Sequence, residues 1–166
     1  MAEGNSHLKN SFPPISHKGI KVLILGTLPG DRSLRTGEYF AHPGNRFWKI
    51  LASITRSPFP KTYPAKLDLL HRNSIGVWNV LQQAERKGSL DHAIRNETPN
   101  DLSAFISAHE ELEVIAFDGL KPAAFYDKYF ERRKDLRYLT LPGCSAANAR
   151  YDLEALCGKW EELLRM

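Results

Sequence analysis

The sequence has few of the residues from which disulfide frameworks, metal clusters and membrane anchors are built. Its 166 residues include two cysteines, Cys144 and Cys157, without a Cys-x-x-Cys pairing or a histidine at metal-ligand spacing. Disulfide scaffolds, zinc sites and four-cysteine iron–sulfur clusters are therefore poorly supported. No apolar run reaches the roughly 18–20 residues that cross a bilayer. We expect no metal, no cofactor and no membrane partner.

The N-terminal stretch is polar and lacks the apolar core, about 7–15 residues long, of a secretory signal. Because it is rich in Ser, Asn and Pro, we expect residues 1–18 to be a flexible tail. The remaining residues, 19–166, have the length of one domain that buries its own core. With no secretion signal and few cysteines, a reducing, cytoplasmic location is the expectation.

The excess of one charge sign is also small: the sequence has 23 basic and 19 acidic residues, and its net charge is +4. A pI of about 9.1 is compatible with a polyanionic partner. It is equally compatible with a slightly basic enzyme that binds no nucleic acid.

Short apolar runs predict four β-strands, over residues 21–25, 75–80, 114–117 and 138–141. Each run is apolar on both faces, as in a parallel sheet with helices on both sides. Between them lie helical patterns. One follows Asn45, one is capped by Asn100, one opens at Pro122 and one is capped by Asp152. The alternation predicts an α/β class with a mostly parallel sheet.

Ligands of such sheets bind at the carboxyl ends of the strands. Three segments follow strand ends: the chain from Gly26, the chain from Asn79, and residues 142–148. The first is the longest, about nineteen residues, and loops of that length inside a domain are usually functional.

The turn from Gly26 to Gly30 (GTLPG) matches neither a phosphate-binding loop nor a dinucleotide-binding loop. Pro29 removes a backbone donor, which argues for a rigid turn. Further along, Tyr39 and Phe40 stand in a polar segment. They are either a stacking platform for a base or core residues, and without further information core packing is favoured.

Residues 40–48, FAHPGNRFW, resemble a string found in two branches of the uracil-DNA glycosylase superfamily. The mismatch-specific uracil-DNA glycosylases carry F-A-H-P-x-N-R-F-W. The hypoxanthine-DNA (deoxyinosine) glycosylases share it and add W-[DN]-V-L followed by R-x-G-S-L-D-x-x-I. This chain is more similar to the second branch, with WNVL at residues 78–81, RKGSLD at 86–91 and Ile94.

The resemblance implies a three-layer α/β/α domain with a four-stranded, mainly parallel sheet. It also implies a monofunctional DNA glycosylase, a monomer that acts on damaged double- or single-stranded DNA in the cytoplasm, associated with the nucleoid. In this reaction water replaces the base on the sugar without a metal. The 86–91 block favours hypoxanthine over uracil opposite guanine. A DNA-binding protein with an inactive site is the alternative from another class.

The resemblance also assigns roles to residues of the first segment. Phe40 falls where the family has its base-stacking aromatic, and Gly26, Thr27, Leu28 and Asn79 are expected to bind the base. Thr27 and Leu28 carry neither the carboxylate nor the amide that many members use to position water. The catalytic candidates are therefore Asn45, which alternatively caps a helix, and His42, which either donates to the base or holds the loop against Pro43.

A second set of residues is expected to contact the DNA strand. Residues 141–148, LPGCSAAN, resemble the family's L-P-S-T-S-P-A-N, but lose its proline at Ala146. Ser145 and Asn148 donate either to phosphates or within the turn, and Arg46 is a further phosphate neighbour. The DNA-binding candidates are Pro29, Gly30, Lys121, Ser145, Ala147, Asn148 and Arg150.

Overall fold

The structure, a computed structural model, describes residues 7–165. The strands are β1 (Leu8–Asn10), β2 (Val22–Gly26), β3 (Ile75–Asn79), β4 (Leu81–Glu85), β5 (Arg95–Pro99), β6 (Val114–Asp118) and β7 (Arg137–Leu141). The α-helices are α1 (Asp31–Thr36), α2 (Phe47–Ile54), α3 (Tyr63–Arg72), α4 (Leu102–Ala108), α5 (Leu120–Tyr129) and α6 (Leu153–Trp160). Two 3₁₀ helices cover Asp91–Ala93 and Glu161–Leu164.

Four parallel strands in the order β3-β2-β6-β7 form the central sheet. The four predicted strands are thus confirmed, with ends shifted by one residue or less. β2 is buried along its whole length, as its uninterrupted apolar run requires. In the parallel register Gly26 lies beside Asn79, so the turn after β2 begins next to the end of β3.

Alternating side chains of each strand enter two separate cores, because successive residues point to opposite faces. Val22 and Ile24 pack with α2, α3 and α6 on one face. Leu23 and Leu25 pack with α4 and α5 on the other. Helices therefore cover both faces of the sheet, which confirms the three-layer α/β/α arrangement. Among the helices of residues 7–165, none is long and apolar enough to cross a membrane.

A second, antiparallel sheet in the order β1-β4-β5 lies beyond the predicted elements. β4 begins two residues after β3 ends, and its pairing with β5 is interrupted by register shifts. The strand sequences LQQAE and RNETP are mostly polar and carry little of the β-branched alternation from which strands are predicted.

The expected flexible tail over residues 1–18 requires a correction, because residues 7–18 pack against the domain. β1 pairs with β4, and Ile15 forms an antiparallel bridge with Val77. The Trp78 indole N–H donates to the Phe12 carbonyl at 2.9 Å, and the Tyr39 hydroxyl donates to the Pro13 carbonyl at 2.8 Å. Residues 1–6 lie outside the described residues.

Helix starts also differ from prediction. The cap of α4 is Asp101, whose carboxylate accepts the Ala104 N–H at 3.0 Å. Asn100 instead donates from Nδ2 to the Asn79 carbonyl at 2.9 Å. α5 begins at Leu120 rather than at Pro122, whereas Asp152 caps α6 as predicted.

Two helices are additional. α1 lies within the segment that was expected to be a long loop. α3 begins after Thr62, whose hydroxyl accepts the Ala65 N–H, and has a proline in its first turn. Both signals stand in the sequence and are typical of a helix start.

Removing the Tyr39 hydroxyl should loosen the N-terminal segment. Tyr39→Phe deletes one buried hydrogen bond worth about 1 kcal/mol, which corresponds to roughly fivefold faster local opening. We expect this increase in amide hydrogen exchange at Ser11 and Ile15, which are bonded to Gln82 and Val77. Tyr138→Phe is the matched control, because its hydroxyl contacts Tyr126 and Arg133 instead. Equal exchange in the two variants would contradict the expectation.

Candidate active site

A cavity of about 220 Å³ opens at the carboxyl ends of the central strands. The sequence candidates that line it are Gly26, Thr27, Leu28, Pro29, Gly30, Phe40, His42, Asn45, Asn79 and Ser145. A wider groove of about 780 Å³ adjoins it and is lined by Lys121, Ser145, Ala147, Asn148 and Arg150. The two sets of residues expected from the sequence thus lie on two connected surfaces.

Asn79 projects its side chain into the cavity because Gly26 leaves room for it. A Cβ at Gly26 would lie 2.8 Å from Asn79 Oδ1, closer than real Cβ contacts come. The Asn79 amide Nδ2 donates to the Ser11 hydroxyl at 3.1 Å. Asn79 is 5% exposed. Its orientation is fixed by its own strand β3, by Gly26 of β2 and by Ser11 of the N-terminal segment.

Phe40 presents a flat aromatic wall. Its ring stacks on Phe47 with centroids 3.8 Å apart and planes 16° from parallel, and it meets Trp48 edge-on. Its φ of 54° lies in the left-handed region, which costs a non-glycine residue roughly 1–2 kcal/mol and is offset by this packing. Tyr39, by contrast, is 5% exposed and belongs to the core, as the pattern alone favours.

Asn45 is not the N-cap that the sequence pattern alone predicts, because the N-cap of α2 is Arg46 and Asn45 lies one residue before it. The Asn45 Oδ1 accepts the Phe47 N–H at 2.9 Å, which satisfies a free donor at the start of α2. The side chain also lines the cavity. Among residues 7–165, no side-chain hydrogen bond engages its Nδ2, so the amide N–H groups remain available to a ligand or water.

His42 is exposed and bonds to its own loop. Its Nδ1 accepts the Gly44 N–H at 2.9 Å, so the loop contact is made to Gly44 and not to Pro43. With Nδ1 as acceptor, a neutral ring carries its proton on Nε2. Gly44 is itself tightly placed, since a Cβ there would lie 2.8 Å from the Ala146 Cβ.

Arg46 requires a correction, because it is not placed as a phosphate ligand. Its guanidinium donates to the carbonyls of Ser145 and Asn148 at 2.8 and 2.9 Å, and also to Cys144 and Tyr151. These bonds use its donors to hold the loop after β7 against α2.

Ser145 and Asn148 make turn contacts. The Ser145 hydroxyl accepts the Ala147 N–H at 3.2 Å, and Asn148 Nδ2 donates to the Gly143 carbonyl at 2.9 Å. The Ser145 hydroxyl proton remains a possible donor. Lys121 and Arg150 are exposed along the groove.

Asp91 is a site residue that sequence reasoning did not single out. It lies on the 3₁₀ helix Asp91–Ala93, and its Oδ2 accepts the Thr27 hydroxyl at 2.9 Å. Burial raises the pKa of Asp91, against the opposing effects of Thr27 and Arg86. The hydrogen bond brings the end of the 86–91 block to the turn after β2, where no acidic or amide side chain stands in the sequence.

Asp118 is a second carboxyl group in the cavity wall. It ends β6, and its Oδ1 accepts the Cys144 N–H at 2.8 Å. Burial raises the pKa of Asp118 to about 6, with a further contribution from the Asp91 charge. Burial, together with Asp118, also raises the pKa of the Cys144 thiol, which favours its neutral form.

Arg86 ties the same block to the first turn from inside the protein. Its side chain is fully buried and donates to the carbonyls of Pro29 and Gly88. Asp31 Oδ1 lies 3.9 Å from Arg86 Nη2, and among residues 7–165 Nη1 has no hydrogen-bond partner. Burial lowers the pKa of Arg86.

Phe12 and Ser11 are also missing from the sequence assignment. Phe12 lines the cavity and packs edge-on against Tyr39, with ring centroids 5.2 Å apart. The aromatic residue beside two prolines was a signal, but it lay in a stretch whose composition is that of a tail. Within residues 7–165, no cluster of three or more His, Cys, Asp or Glu is arranged to hold a metal ion.

These features define a three-layer α/β/α protein with an aromatic, amide-lined pocket at the carboxyl edge of its sheet. The family model of the uracil DNA glycosylase superfamily matches residues 13–164. The chain belongs to this superfamily.

Two relatives from Methanosarcina are named hypoxanthine DNA glycosylase. The one from M. acetivorans is 34% identical over 161 residues, 95% of this chain and 99% of the relative. The one from M. barkeri is 37% identical over 118 residues, 70% of this chain and 75% of the relative. A solution NMR structure from M. acetivorans, named as a candidate uracil DNA glycosylase, superimposes with a TM-score of 0.80 at 30% identity, covering 95% and 99% of the two chains.

Replacing Arg86 should destabilise the protein far more than replacing its neighbour. Arg86→Met removes two buried hydrogen bonds from a charged donor, and we expect the free energy of unfolding to fall by about 3 kcal/mol. Lys87→Met, at an exposed position, is the control and should change it by less than about 0.5 kcal/mol. Urea titration measures both, and equal effects would contradict the assignment.

Proposed function

We propose that this protein is a monofunctional DNA glycosylase that removes hypoxanthine from DNA by hydrolysing its N-glycosidic bond. The observation that carries the proposal is the cavity in which the Phe40 ring and the Asn79 and Asn45 amides converge. Support for the base comes from relatives at 34–37% identity that are named hypoxanthine DNA glycosylase.

The cavity offers what an extruded base needs. Leaving the duplex costs a few kcal/mol, and an aromatic face returns about 1–3 kcal/mol per base. Phe40 is supported from behind by Phe47, so it gives that face at little further ordering cost. Asn79 supplies amide hydrogen bonds to the base edge, and Gly26, Thr27 and Leu28 close the pocket around it.

Asn45 is proposed to position the attacking water. Positive charge builds on the sugar as the glycosidic bond breaks, so a placed water oxygen is needed beside it. The Asn45 Oδ1 is held by α2, which fixes the plane of the amide and aims Nδ2. His42 borders the same space and is proposed to assist through Nε2, its loop-bound Nδ1 fixing the ring.

The adjoining groove is proposed to hold the DNA strand. Lys121 and Arg150 supply positive charge to phosphates, and Ser145 supplies a hydroxyl donor. Pro29 and Gly30 line the cavity next to the groove, and Ala147 and Asn148 line the groove itself. The protein is further proposed to act as a monomer, in the cytoplasm at the nucleoid.

One assay separates this function from its alternatives. Duplexes bearing hypoxanthine, uracil or xanthine are incubated with the protein, and abasic sites are then cleaved with alkali. Strand breaks are expected at hypoxanthine. Breaks at uracil instead would assign the second candidate, a mismatch-specific uracil-DNA glycosylase. Salt-dependent binding without breaks on any duplex would indicate a binding protein with an inactive site.

Asn45→Ala should abolish base release while leaving DNA affinity nearly intact. The variant also loses the hydrogen bond to the Phe47 N–H at the start of α2, which costs about 1 kcal/mol. Asp101→Ala is the control, because it loses a side-chain bond to a backbone N–H at the start of α4 without touching the cavity. Single-turnover base release and thermal melting are measured for both. Similar melting shifts with full activity in Asn45→Ala would leave Asn45 a structural residue only.

A further inference from the structure

Two carboxyl groups in the cavity wall take no part in the proposal above. Asp118 ends β6, and Asp91 comes from the 3₁₀ helix between β4 and β5. Both line the cavity and both line the adjoining groove, so they stand where base pocket and strand groove meet. Segments 27 residues apart in the chain thus bring two acids to one place.

The two carboxyl groups have different neighbours. Asp91 accepts the Thr27 hydroxyl and lies near the positive charges of Arg86 and Lys121. Asp118 accepts the Cys144 N–H and lies near the negative charge of Asp91. Burial raises the pKa of Asp91, while Thr27, Arg86 and Lys121 oppose this and favour its ionised form. Burial and the Asp91 charge favour the neutral form of Asp118, against the hydrogen bond from Cys144.

Five further titratable groups line the cavity. They are Asp31, Arg32, Tyr39, His42 and Cys144. Asp31 is bonded to Lys9 at 2.7 Å. The Tyr39 hydroxyl is bonded to Pro13, and burial raises the pKa of both the Tyr39 and Cys144 side chains.

We propose that Asp118 is the general acid of the reaction, giving its proton to N7 of the departing hypoxanthine, and that Asp91 is the positioning residue that keeps this proton on Asp118. The inference rests on the proposed function. N7 is the most basic ring nitrogen of the nucleoside, and its protonation turns a poor leaving anion into a neutral base. A purine in particular gains from this, because uracil has no such nitrogen.

The step balances without a further reactant. The C1′–N9 bond breaks and its electron pair goes to the purine ring, while the Asp118 proton passes to N7. Water forms the new C1′–O bond and releases its surplus proton to solvent. Asp118 regains a proton from solvent for the next cycle. The raised pKa of Asp118, about 6, lets a carboxyl group hold that proton in weakly acidic solution.

The test is the pH dependence of single-turnover base release from a hypoxanthine duplex, between about pH 4.5 and 8.5. The wild-type rate should fall by roughly tenfold per pH unit above about pH 6, as Asp118 loses its proton. Asp118→Asn keeps the acceptor for the Cys144 N–H, so it should fold and bind DNA. Its rate should be at least roughly tenfold lower at pH 5.5 and lack this decline.

Asp91→Asn tests the coupling. It keeps an oxygen for the Thr27 hydroxyl but removes the negative charge, so the decline should begin at lower pH than in the wild type. His42→Gln should leave the position of the decline unchanged, whatever its effect on the rate. A duplex with 7-deazahypoxanthine, which lacks N7, completes the set, and Asp118→Asn should not slow its release further.

Several results would overturn the inference. These are a flat wild-type profile, a wild-type profile in Asp118→Asn, or equal slowing of both bases by that substitution. A decline that moves with His42 would assign the proton to histidine. If the wild type releases no base from any duplex at any pH, the proposed function itself fails, and this inference falls with it.

Discussion

The parallel pairing of β2 with β3 is the constraint on which the rest of the site depends. Its register sets Gly26 beside Asn79, and the absence of a side chain at Gly26 lets the Asn79 amide turn into the cavity. The pairing of β2 with β6 brings Asp118 to the same edge. The strand β2 is apolar and buried on both faces, so it is held rigidly in the core. The polar groups of the site are therefore positioned by a rigid part of the protein.

Much of this arrangement could be predicted from the sequence. The apolar runs predicted the central strands, and the segment from Phe40 to Trp48 predicted the location of the cavity. The second sheet was missed because its strands are mostly polar, although Leu81 and Ala84 of β4 are buried in the core. Residues 7–18 were missed for a related reason: their contacts run through the carbonyls of Phe12 and Pro13, which composition does not register.

Side-chain roles were harder to predict than elements. Asn45 was predicted to be either a helix cap or a site residue. Arg46 is the cap of α2, while the Asn45 Oδ1 accepts the Phe47 N–H and the Asn45 side chain lines the cavity. Arg46 belongs to a motif for which phosphate binding was expected, but its guanidinium donates to four backbone carbonyls instead. The role of Asp91 could be recognised only from the three-dimensional structure, because its partner Thr27 is 64 residues away in the chain.

The contact between Gly44 and Ala146 has a consequence for how such sequences diverge. Because a Cβ at residue 44 would lie 2.8 Å from the Ala146 Cβ, the two positions share one small volume. A larger side chain at one of these positions requires that the other loop moves or that the residue at the other position becomes smaller. Residues 44 and 146 should therefore covary among homologues. The small residue at 146 thus allows the loop after β7 to lie against the loop that carries His42 and Asn45.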